Sequence, residues 1–327
     1  MTKKNLIKIE KAVVGLFPIV DIILSPVVVL SAIVLKLARR IRISRLPFCK
    51  KILFKIGVFP VRDHYYEPLF NPKYIKKPLD EKRDLPGIDW NIEEQINLLY
   101  RFQFNDELRD IALSHVDDLT FNFNNNAFES GDAEYWYNII RLKKPKTIIE
   151  IGSGNSTLMA IKAIKKNKEE DPAYLCKHIC VEPYEMAWLE RSGVSVMRKK
   201  VENIDKKLFE QLEKNDILFI DSSHIIRPQG DVLFEYLELL PILKSGVIVH
   251  IHDIFSPRDY PKEWITNEIK FWNEQYLLEA FLTSNRDWKI IGALNYLKND
   301  YYEKIKEKCP YLTSGREPGS FYLQKIK

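Results

Sequence analysis

The amino-acid sequence predicts an α/β fold, in which a mostly parallel sheet of seven strands carries helices on both faces. Short apolar runs recur along the chain from residue 146 onwards, and segments of helical periodicity separate the first of these runs. This alternation is typical of parallel sheets, because each crossover helix packs against one face of the sheet. A third observation, an apolar run over residues 12–35, adds an N-terminal membrane helix to the predicted architecture.

The chain of 327 residues divides into three predicted regions. Residues 1–56 form a basic membrane-anchoring segment, residues 57–128 form a connecting arm with a helical lead-in, and residues 129–327 form the α/β domain. Prolines and aromatic residues interrupt the arm, and one stretch from Ile92 to His115 has the apolar spacing of a helix. We therefore expect ligand binding and chemistry in the last region.

The apolar run at residues 12–35 contains one charged residue, Asp21, and is long enough to cross a bilayer as a helix. A spanning helix is the first alternative, and the heavier basic flank on its C-terminal side then keeps the rest of the chain in the cytoplasm. A re-entrant or interfacial hairpin is the second, because Pro18 and Pro26 interrupt helical hydrogen bonding and a charge is costly in lipid. A buried helix of a soluble protein is the third. The flanking basic residues are Lys3, Lys4, Lys8 and Lys11 before the run, and Lys36, Arg39, Arg40, Arg42, Arg45, Lys50, Lys51 and Lys55 after it.

The positive charge of the chain is concentrated at its N-terminal end. The whole chain has a formal net charge of +5, but residues 1–62 hold 13 basic and 2 acidic side chains, and the remainder is slightly acidic. This distribution argues against a general nucleic-acid binder and favours a basic segment that contacts anionic lipid. The four cysteines form neither a disulfide framework nor a zinc motif, which indicates reduced thiols in a cytosolic compartment.

The predicted strands place their informative residues just after each carboxyl end, where ligands bind in open α/β sheets. Helical segments at residues 156–167 and 231–243 follow the first and fourth strands. The strand-like runs are KTIIEIG (146–152), KHICVEP (177–183), a weaker VSVMRKKV (194–201), DILFIDSS (216–223), VIVHIHDI (247–254), WKIIGALNY (288–296) and SFYLQKI (320–326).

The first strand runs into a glycine turn, EIGSGN (150–155), and then into a helix. Glycines allow the backbone to approach a ligand, and Asn155 can cap the helix. The turn lacks the third glycine of a dinucleotide fingerprint and the Gly-Lys-Ser/Thr of a P-loop. The acidic Glu150 suits a cationic or neutral ligand better than a phosphate. A tight strand-to-helix turn without a ligand is the alternative.

Acidic and amide side chains follow the next two strands. Glu182 ends the second strand, where a carboxylate can accept hydrogen bonds from both hydroxyls of a ribose. Glu202 and Asn203 follow the weaker third strand, where a side chain can reach the edge of an adenine. For Asn203, a solvated loop is the alternative.

These motifs resemble those of the class I S-adenosylmethionine-dependent methyltransferases, a family with a Rossmann-like sheet, over roughly residues 129–327. EIGSGNSTL is similar to the family's glycine-rich first motif, CVEPYE to its ribose-binding acid, and DILFIDSSH to its fourth-strand motif. GVIVHIHDIFSPRDYPKEW and GREPGSFYL are similar to one branch that contains many uncharacterised bacterial enzymes. The resemblance implies S-adenosylmethionine as the cofactor. The residues that it assigns to the cofactor are Glu150, Gly152, Ser153, Gly154, Asn155, Glu182, Asn203 and Asp221.

The residues predicted to be catalytic are His224, His252 and Asp253, which follow the fourth and fifth strands together with Asp221. Two mechanisms fit: His224 or His252 is a general base, or Asp221 and Asp253 hold Mg²⁺, which polarises the acceptor oxygen. The second resembles the metal-dependent catechol-type methyltransferases, although His224 replaces their lysine and His252-Asp253 replaces their Asp-Asn pair. A third alternative is that His252 and Asp253 only hydrogen-bond loops over the cofactor.

The sequence therefore predicts a membrane-anchored methyltransferase whose catalytic domain lies in the cytoplasm. We expect the acceptor to be a hydroxyl on a glycan, a lipid-linked sugar or a small metabolite, with an anionic lipid surface as the other partner and no nucleic acid. Tyr260 and Trp264 are candidates for stacking on a sugar or ring, with a place in the core as the alternative. The alternative functions are a related enzyme with another reaction, such as metal-dependent oxygenation, and a non-catalytic membrane-tethered scaffold. The sequence leaves the oligomeric state open.

Overall fold

The computed structural model describes residues 3–327, and it describes side chains from Gly15 onwards. The chain divides into two compact units, with the boundary between Lys76 and Lys77, inside the predicted connecting arm. Some side chains that were singled out from the sequence lie outside the part of the chain whose side chains are described. They are those of the basic residues before the apolar run, Lys3, Lys4, Lys8 and Lys11, and of the first three residues of the run itself.

The first unit begins with one long helix, α1 (Lys3–Ile41), and continues with the shorter α2 (Pro47–Ile56). Helix α1 is continuous through Pro18 and Pro26, so the reversal of direction that a re-entrant hairpin requires is not formed. The Ser25 hydroxyl, next to Pro26, donates a hydrogen bond of 2.7 Å to the carbonyl oxygen of Asp21, one turn earlier. Such bonds help apolar helices to accommodate proline.

From Gly15 to Ile41, helix α1 is long and apolar enough to cross a membrane, by length and composition. None of its most apolar stretch is buried within the protein, which argues against the third alternative, the buried helix of a soluble protein. The exposed side chains along it include Ile22, Ile23 and Leu30, which are 66–72% exposed. A helix with apolar side chains on all its faces needs an apolar environment outside the protein.

The second unit is built on a seven-stranded sheet, which confirms the predicted fold class. In the order of the sheet, the strands run β3, β2, β1, β4, β5, β7, β6. Strands β1 to β5 are parallel, and β7 is antiparallel to both β5 and β6. Their bounds are β1 Thr147–Ile151, β2 Lys177–Val181, β3 Ser195–Met197, β4 Ile217–Ile220, β5 Ile248–Ile251, β6 Trp288–Ala293 and β7 Phe321–Lys325.

Helices pack against both faces of this sheet, because successive strand residues point to opposite sides. Ile149, Leu218 and Val249 belong to one cluster of buried apolar side chains, whereas Ile148 and Ile217 belong to the other. The helices of the second unit are α3 (Ile92–Tyr100), α4 (Asp132–Lys143), α5 (Asn155–Glu170), α6 (Lys207–Glu210), α7 (Asp231–Phe234), α8 (Lys262–Thr266), α9 (Glu274–Leu282), α10 (Leu294–Asp300) and α11 (Tyr302–Lys308). A π-helical turn, Glu235–Leu239, extends α7.

The lead-in helix predicted from Ile92 to His115 is shorter in the structure, where α3 ends at Tyr100. A separate 3₁₀ turn covers Asn105–Leu108. Phe102 and Leu108 are both buried in the same cluster, and a single helix would point these two positions to different faces. The chain therefore leaves the helix so that both side chains reach the core.

Candidate functional site

The turn after β1 packs tightly against the end of β4. The backbone of Gly152 has a φ of +81°, and a Cβ at this position would lie 2.1 Å from the carbonyl oxygen of Asp221. The Asp221 amide donates to the carbonyl of Ile151 over 2.8 Å, which fixes this approach. At Gly154, in contrast, the backbone is extended and a Cβ would meet no atom within 4 Å. The turn thus needs glycine at 152 for packing, and leaves open space at 154.

Glu182 lies at the end of β2, beside this turn. It is 5% exposed, and its carboxylate accepts hydrogen bonds from the backbone amides of Ser153 (3.2 Å) and Tyr184 (2.9 Å). A carboxylate has about four acceptor positions, so two remain for a ligand. The nearby hydroxyl oxygen of Ser153 is buried and has no hydrogen-bond partner among the described residues. A free acceptor pair and an unpaired hydroxyl are what a polar ligand at this place would satisfy.

A cavity of about 280 Å³ opens at the ends of β1, β2 and β4. Of the residues predicted to contact a cofactor, Gly152, Glu182 and Asp221 line it. Four acidic and two basic side chains line it, so the lining is acidic on balance, which favours a ligand with positive charge. The acids are Glu182, Glu202, Asp221 and Asp231, and the bases are Lys200 and Arg227. Tyr184 and Ser222 also line this cavity and were not singled out from the sequence.

Five of the eight residues predicted to contact the cofactor do not line the cavity. Ser153, Gly154 and Asn155 lie in the glycine turn beside it and at the start of α5, whereas Glu150 and Asn203 lie elsewhere. Glu150 is fully buried, with its Oε2 atom 2.9 Å from Nε2 of His178, and it does not line the cavity. It pairs in register with Cys180 of β2, so its side chain points to the same face of the sheet as that thiol. Asn203 is exposed at the end of a 3₁₀ turn, and its neighbour Glu202 lines the cavity in its place.

The four residues predicted at the ends of β4 and β5 converge on one centre beside the cavity. Nε2 of His224 lies 3.2 Å from Asp221 and 3.6 Å from Asp253. Nδ1 of His252 lies 3.7 Å from Asp221 and 3.6 Å from Asp253. Both imidazoles are buried, whereas 36% of the Asp221 side chain and 17% of the Asp253 side chain are exposed. Parallel pairing of β4 and β5 produces this convergence.

Glu274, at the start of α9, holds His224 in place. Its fully buried carboxylate lies 2.8 Å from Nδ1 of His224 and accepts a second hydrogen bond, of 3.1 Å, from the hydroxyl of Tyr236. The backbone amide of Asn273 donates to the carbonyl oxygen of His224 over 2.9 Å. From the sequence, an acid in the first turn of a helix indicates only a favourable dipole interaction, so nothing marks Glu274 as a site residue.

His252 offers a nitrogen that the protein leaves unpaired. Its buried Nδ1 has no hydrogen-bond partner among the described residues, although it faces Asp221 and Asp253. Its Nε2 lies 3.8 Å from the buried carboxylate of Asp132, the first residue of α4, which accepts a hydrogen bond from the amide of Ser320. Ligand atoms of Asp221, His252 and Asp253 all lie within 4.8 Å of one another. Two carboxylates and one imidazole at this spacing fit a divalent cation.

The charges at this centre depend on one another. Burial raises the pKa of Asp221, but the imidazoles of His252 and His224 outweigh burial and hold that pKa below its usual range. Burial lowers the pKa of both histidines, yet the carboxylates around them leave both pKa values raised. For Asp253, burial raises the pKa. The surrounding carboxylates therefore favour the protonated form of both imidazoles.

The remaining residues singled out around β5 divide between core and surface. His250 is fully buried, and its Nε2 lies 2.8 Å from the hydroxyl of Ser320, so it belongs to the core. Tyr260 is 3% exposed and accepts a hydrogen bond from the amide of Gln275. Trp264 is partly exposed and lies beside Trp272, whose ring is 4.3 Å from that of His224. These two tryptophans pack edge to face next to the centre, and the Lys270 ammonium lies over both rings.

Comparison with known proteins gives three results. Residues 149–254 match a family described as "Methyltransferase domain". An uncharacterised protein of Archaeoglobus fulgidus is 30% identical over 174 residues, which cover 49% of this chain and 76% of that protein. Among solved structures, the chain is similar to the O-methyltransferase TomG from Streptomyces achromogenes in complex with SAM, at 13% identity and a TM-score of 0.37, over 72% of this chain and 90% of that one. It is also similar to an O-methyltransferase from Bacillus cereus in complex with SAH, at 12% identity and a TM-score of 0.34, over 73% and 91%.

Proposed function

This chain belongs to the class I S-adenosylmethionine-dependent methyltransferases, and we propose that it methylates a hydroxyl oxygen on an acceptor at the cytoplasmic face of a membrane. The observation that carries this proposal is the position of His224, a buried imidazole held by Glu274 at the edge of the cofactor cavity. The cofactor supplies an electrophilic methyl group on a sulfonium. The protein must therefore position the acceptor oxygen and accept its proton.

The residues around the cavity fit this cofactor. The two free acceptor positions of Glu182 suit the two hydroxyls of a ribose, and the acidic lining suits a sulfonium cation. The open backbone at Gly154 leaves room for the ligand to approach the turn. We assign ribose binding to Glu182, and contacts with the remainder of the cofactor to Gly152, Ser153, Gly154, Asn155 and Asp221.

Replacing Glu182 by alanine is expected to weaken S-adenosylmethionine binding by about 10- to 150-fold, because charge-assisted hydrogen bonds contribute about 1.5–3 kcal/mol. Isothermal titration of the full-length protein in neutral detergent measures the affinity. Glu185→Ala is the matched control, since Glu185 is exposed and lies three residues away. Equal affinities for the two variants would remove Glu182 from the ribose site.

Proton removal from the acceptor is assigned to His224. Its Nδ1 faces Glu274 and its Nε2 faces the centre, so the ring is oriented for a proton transfer at Nε2. Because carboxylates raise the pKa of His224, the neutral form that can accept the acceptor's proton becomes more populated as the pH rises. Trp272 lies next to this ring and Trp264 lies next to Trp272, with the Lys270 ammonium over both indole rings. A sugar or an aromatic acceptor would stack on these rings in place of Lys270.

A divalent cation at Asp221, His252 and Asp253 is a second candidate feature of the same site, favoured by the unpaired Nδ1 of His252. A cation held there would polarise the acceptor oxygen and lower the pKa of its hydroxyl. The imidazole nitrogen extends the predicted carboxylate pair, and it suits Mn²⁺ or another transition metal better than Mg²⁺, which prefers oxygen ligands. Metal binding would release the proton that His252 otherwise holds.

Dialysis against EDTA is expected to lower the methylation rate by about 100-fold, with recovery on adding Mg²⁺ or Mn²⁺, because Lewis-acid polarisation contributes several kcal/mol. Direct titration of Mn²⁺ into the dialysed protein provides a reading that does not depend on activity. His252→Gln should weaken Mn²⁺ binding. His250→Gln should not, because His250 is buried and is not one of the three candidate ligands. A rate that is unchanged after chelation would leave His224 as the acceptor's sole activator.

Membrane association is supported by the exposed apolar length of α1 and by the basic residues that follow it. Their position on the C-terminal side of the helix supports a cytoplasmic location of the second unit, by the positive-inside tendency. The proposal is tested by transfer of a labelled methyl group from S-adenosylmethionine to fractionated cell extract. We expect alkali-stable label in the lipid-extractable or glycan fraction, and only when membranes are included. Label confined to soluble protein would contradict it.

A further inference from the structure

The first unit contains a cavity of about 440 Å³ between the C-terminal turns of α1 and the segment at residues 60–64. Ala32 and Leu35 line its apolar part, and Lys36, Arg40 and Arg62 line its basic part. The helix residues recur every three or four positions, so one face of α1 forms one wall. The volume lies in the range of about 300–1,000 Å³ that is usual for small-molecule sites.

The position of this cavity along α1 is informative, and its meaning depends on the membrane anchoring proposed above. The apolar run of the helix ends at Leu35, and basic residues begin at Lys36. In a spanning helix, this change marks the boundary between the hydrocarbon layer and the lipid headgroups. The cavity therefore has its apolar end towards the acyl chains and its basic end at the level of the phosphates.

The basic end has more positive charge than the neighbouring acids neutralise. Arg39 and Arg62 share one carboxylate, that of Glu67, and Nη2 of Arg62 lies 3.0 Å from it. Asp63 is paired with Lys73 at 3.5 Å. Lys36 and Arg40 are exposed, and among the side chains that the structure describes neither has a hydrogen-bond or ion-pair partner. Both are therefore free to pair with an anion at the basic end.

The surroundings of the cavity match a membrane interface. Tyr65 and Tyr66 follow the cavity-lining segment directly and are 92% and 86% exposed. Tyrosines at this degree of exposure are typical of the boundary between lipid and water. Helix α2 also exposes large apolar side chains, among them Phe48, Ile52 and Phe54, between basic residues. Such helices lie in the headgroup layer.

We propose that this cavity binds the phosphate group of one anionic phospholipid. Lys36, Arg40 and Arg62 contact the phosphate oxygens, and Ala32 and Leu35 contact the first methylenes of the acyl chains. A soluble phosphate compound shares the charged part of this recognition but not the apolar part. The lipid is thus a specific ligand of the enzyme, in addition to the membrane in which the helix is anchored.

The test uses the full-length protein in neutral detergent and a short-chain lipid, dihexanoyl phosphatidylglycerol, below its micellar concentration. Binding is compared for wild type, the double variant Lys36→Gln/Arg40→Gln, and the control Arg45→Gln/Lys51→Gln. The control removes the same two charges from exposed positions outside the cavity. We expect the cavity variant to bind about tenfold or more weakly and the control to bind within about twofold of wild type, because charge-assisted contacts are local.

Three outcomes would overturn the inference. Equal losses in the two double variants would indicate a diffuse electrostatic surface. Equal binding of dihexanoyl phosphatidylcholine would show that the net negative charge of the lipid does not matter. Displacement of the lipid by inorganic phosphate at equal concentration would assign the cavity to soluble phosphate. Extraction of membranes with carbonate tests the anchoring separately. If the protein stays in the membrane after extraction but the cavity variant binds lipid as well as wild type, the lipid site is refuted and the membrane anchoring is not.

Discussion

His224→Gln is expected to lower kcat by about 10²- to 10⁴-fold, the usual contribution of a positioned general base. Glutamine retains a hydrogen-bonding side chain but cannot accept a proton at neutral pH. The affinity for S-adenosylmethionine should change little, because His224 does not line the cofactor cavity. Initial rates of labelled methyl transfer at saturating cofactor give kcat, and titration calorimetry gives the cofactor affinity.

Two further variants separate a catalytic from a structural effect of this change. His178→Gln replaces another buried histidine, which is paired with the carboxylate of Glu150. If the effect of His224→Gln is local to the site, kcat of the His178 variant should stay within about threefold of wild type. Glu274→Gln should lower kcat by a smaller factor, about tenfold, since Glu274 positions His224 and does not meet the acceptor. A His224→Gln enzyme that retains more than a tenth of kcat would show that His224 does not accept the acceptor's proton.

Gly152→Ala is expected to destabilise the second unit by about 2–5 kcal/mol. A left-handed backbone costs about 1–2 kcal/mol with an L side chain, and overpacking typically costs a further 1–3 kcal/mol. The overlap is with backbone, since the Cβ would lie 2.1 Å from the carbonyl oxygen of Asp221, and no side-chain rotation relieves it. Loss of S-adenosylmethionine binding should accompany the loss of stability, because the same contact positions Asp221.

Tryptophan fluorescence during denaturant unfolding measures this effect cleanly, because all six tryptophans lie between residues 77 and 327. Gly193→Ala is one control: Gly193 has a φ of +86° but no atom within 4 Å of a Cβ, so it should show the backbone cost alone. Gly154→Ala is the other, with extended backbone and open space, and should fold like the wild type. Similar stabilities of the Gly152 and Gly193 variants would mean that the turn moves away from β4.

The strands and the position of the site were predictable because both follow from local patterns. Apolar runs bounded by turn residues mark β1 to β7, and in parallel sheets the residues after the strands gather at one edge. That rule brings Asp221, His224, His252 and Asp253 to one place, as the structure shows. It also places Glu182 beside the glycine turn.

The sequence does not reveal which distant side chains complete the site. Glu274 is separated from the strand ends by a long stretch of chain, and only tertiary packing brings its carboxylate to His224. Glu150 precedes the glycine turn in the sequence, yet the alternation of the strand directs it away from the cavity. At residues 202–203, a single 3₁₀ turn decides which of two adjacent polar side chains faces the ligand.

The position of β7 has a consequence for the order in which the protein is made. Strand β7 is the last in the sequence, but it lies between β5 and β6, and Ser320 beside it contacts both Asp132 and His250. During translation, α1 leaves the ribosome first, whereas β6 cannot join the sheet until β7 has emerged. Under the membrane anchoring proposed above, the nascent chain would reach the membrane before its catalytic centre assembles, so catalysis would begin only at the membrane surface.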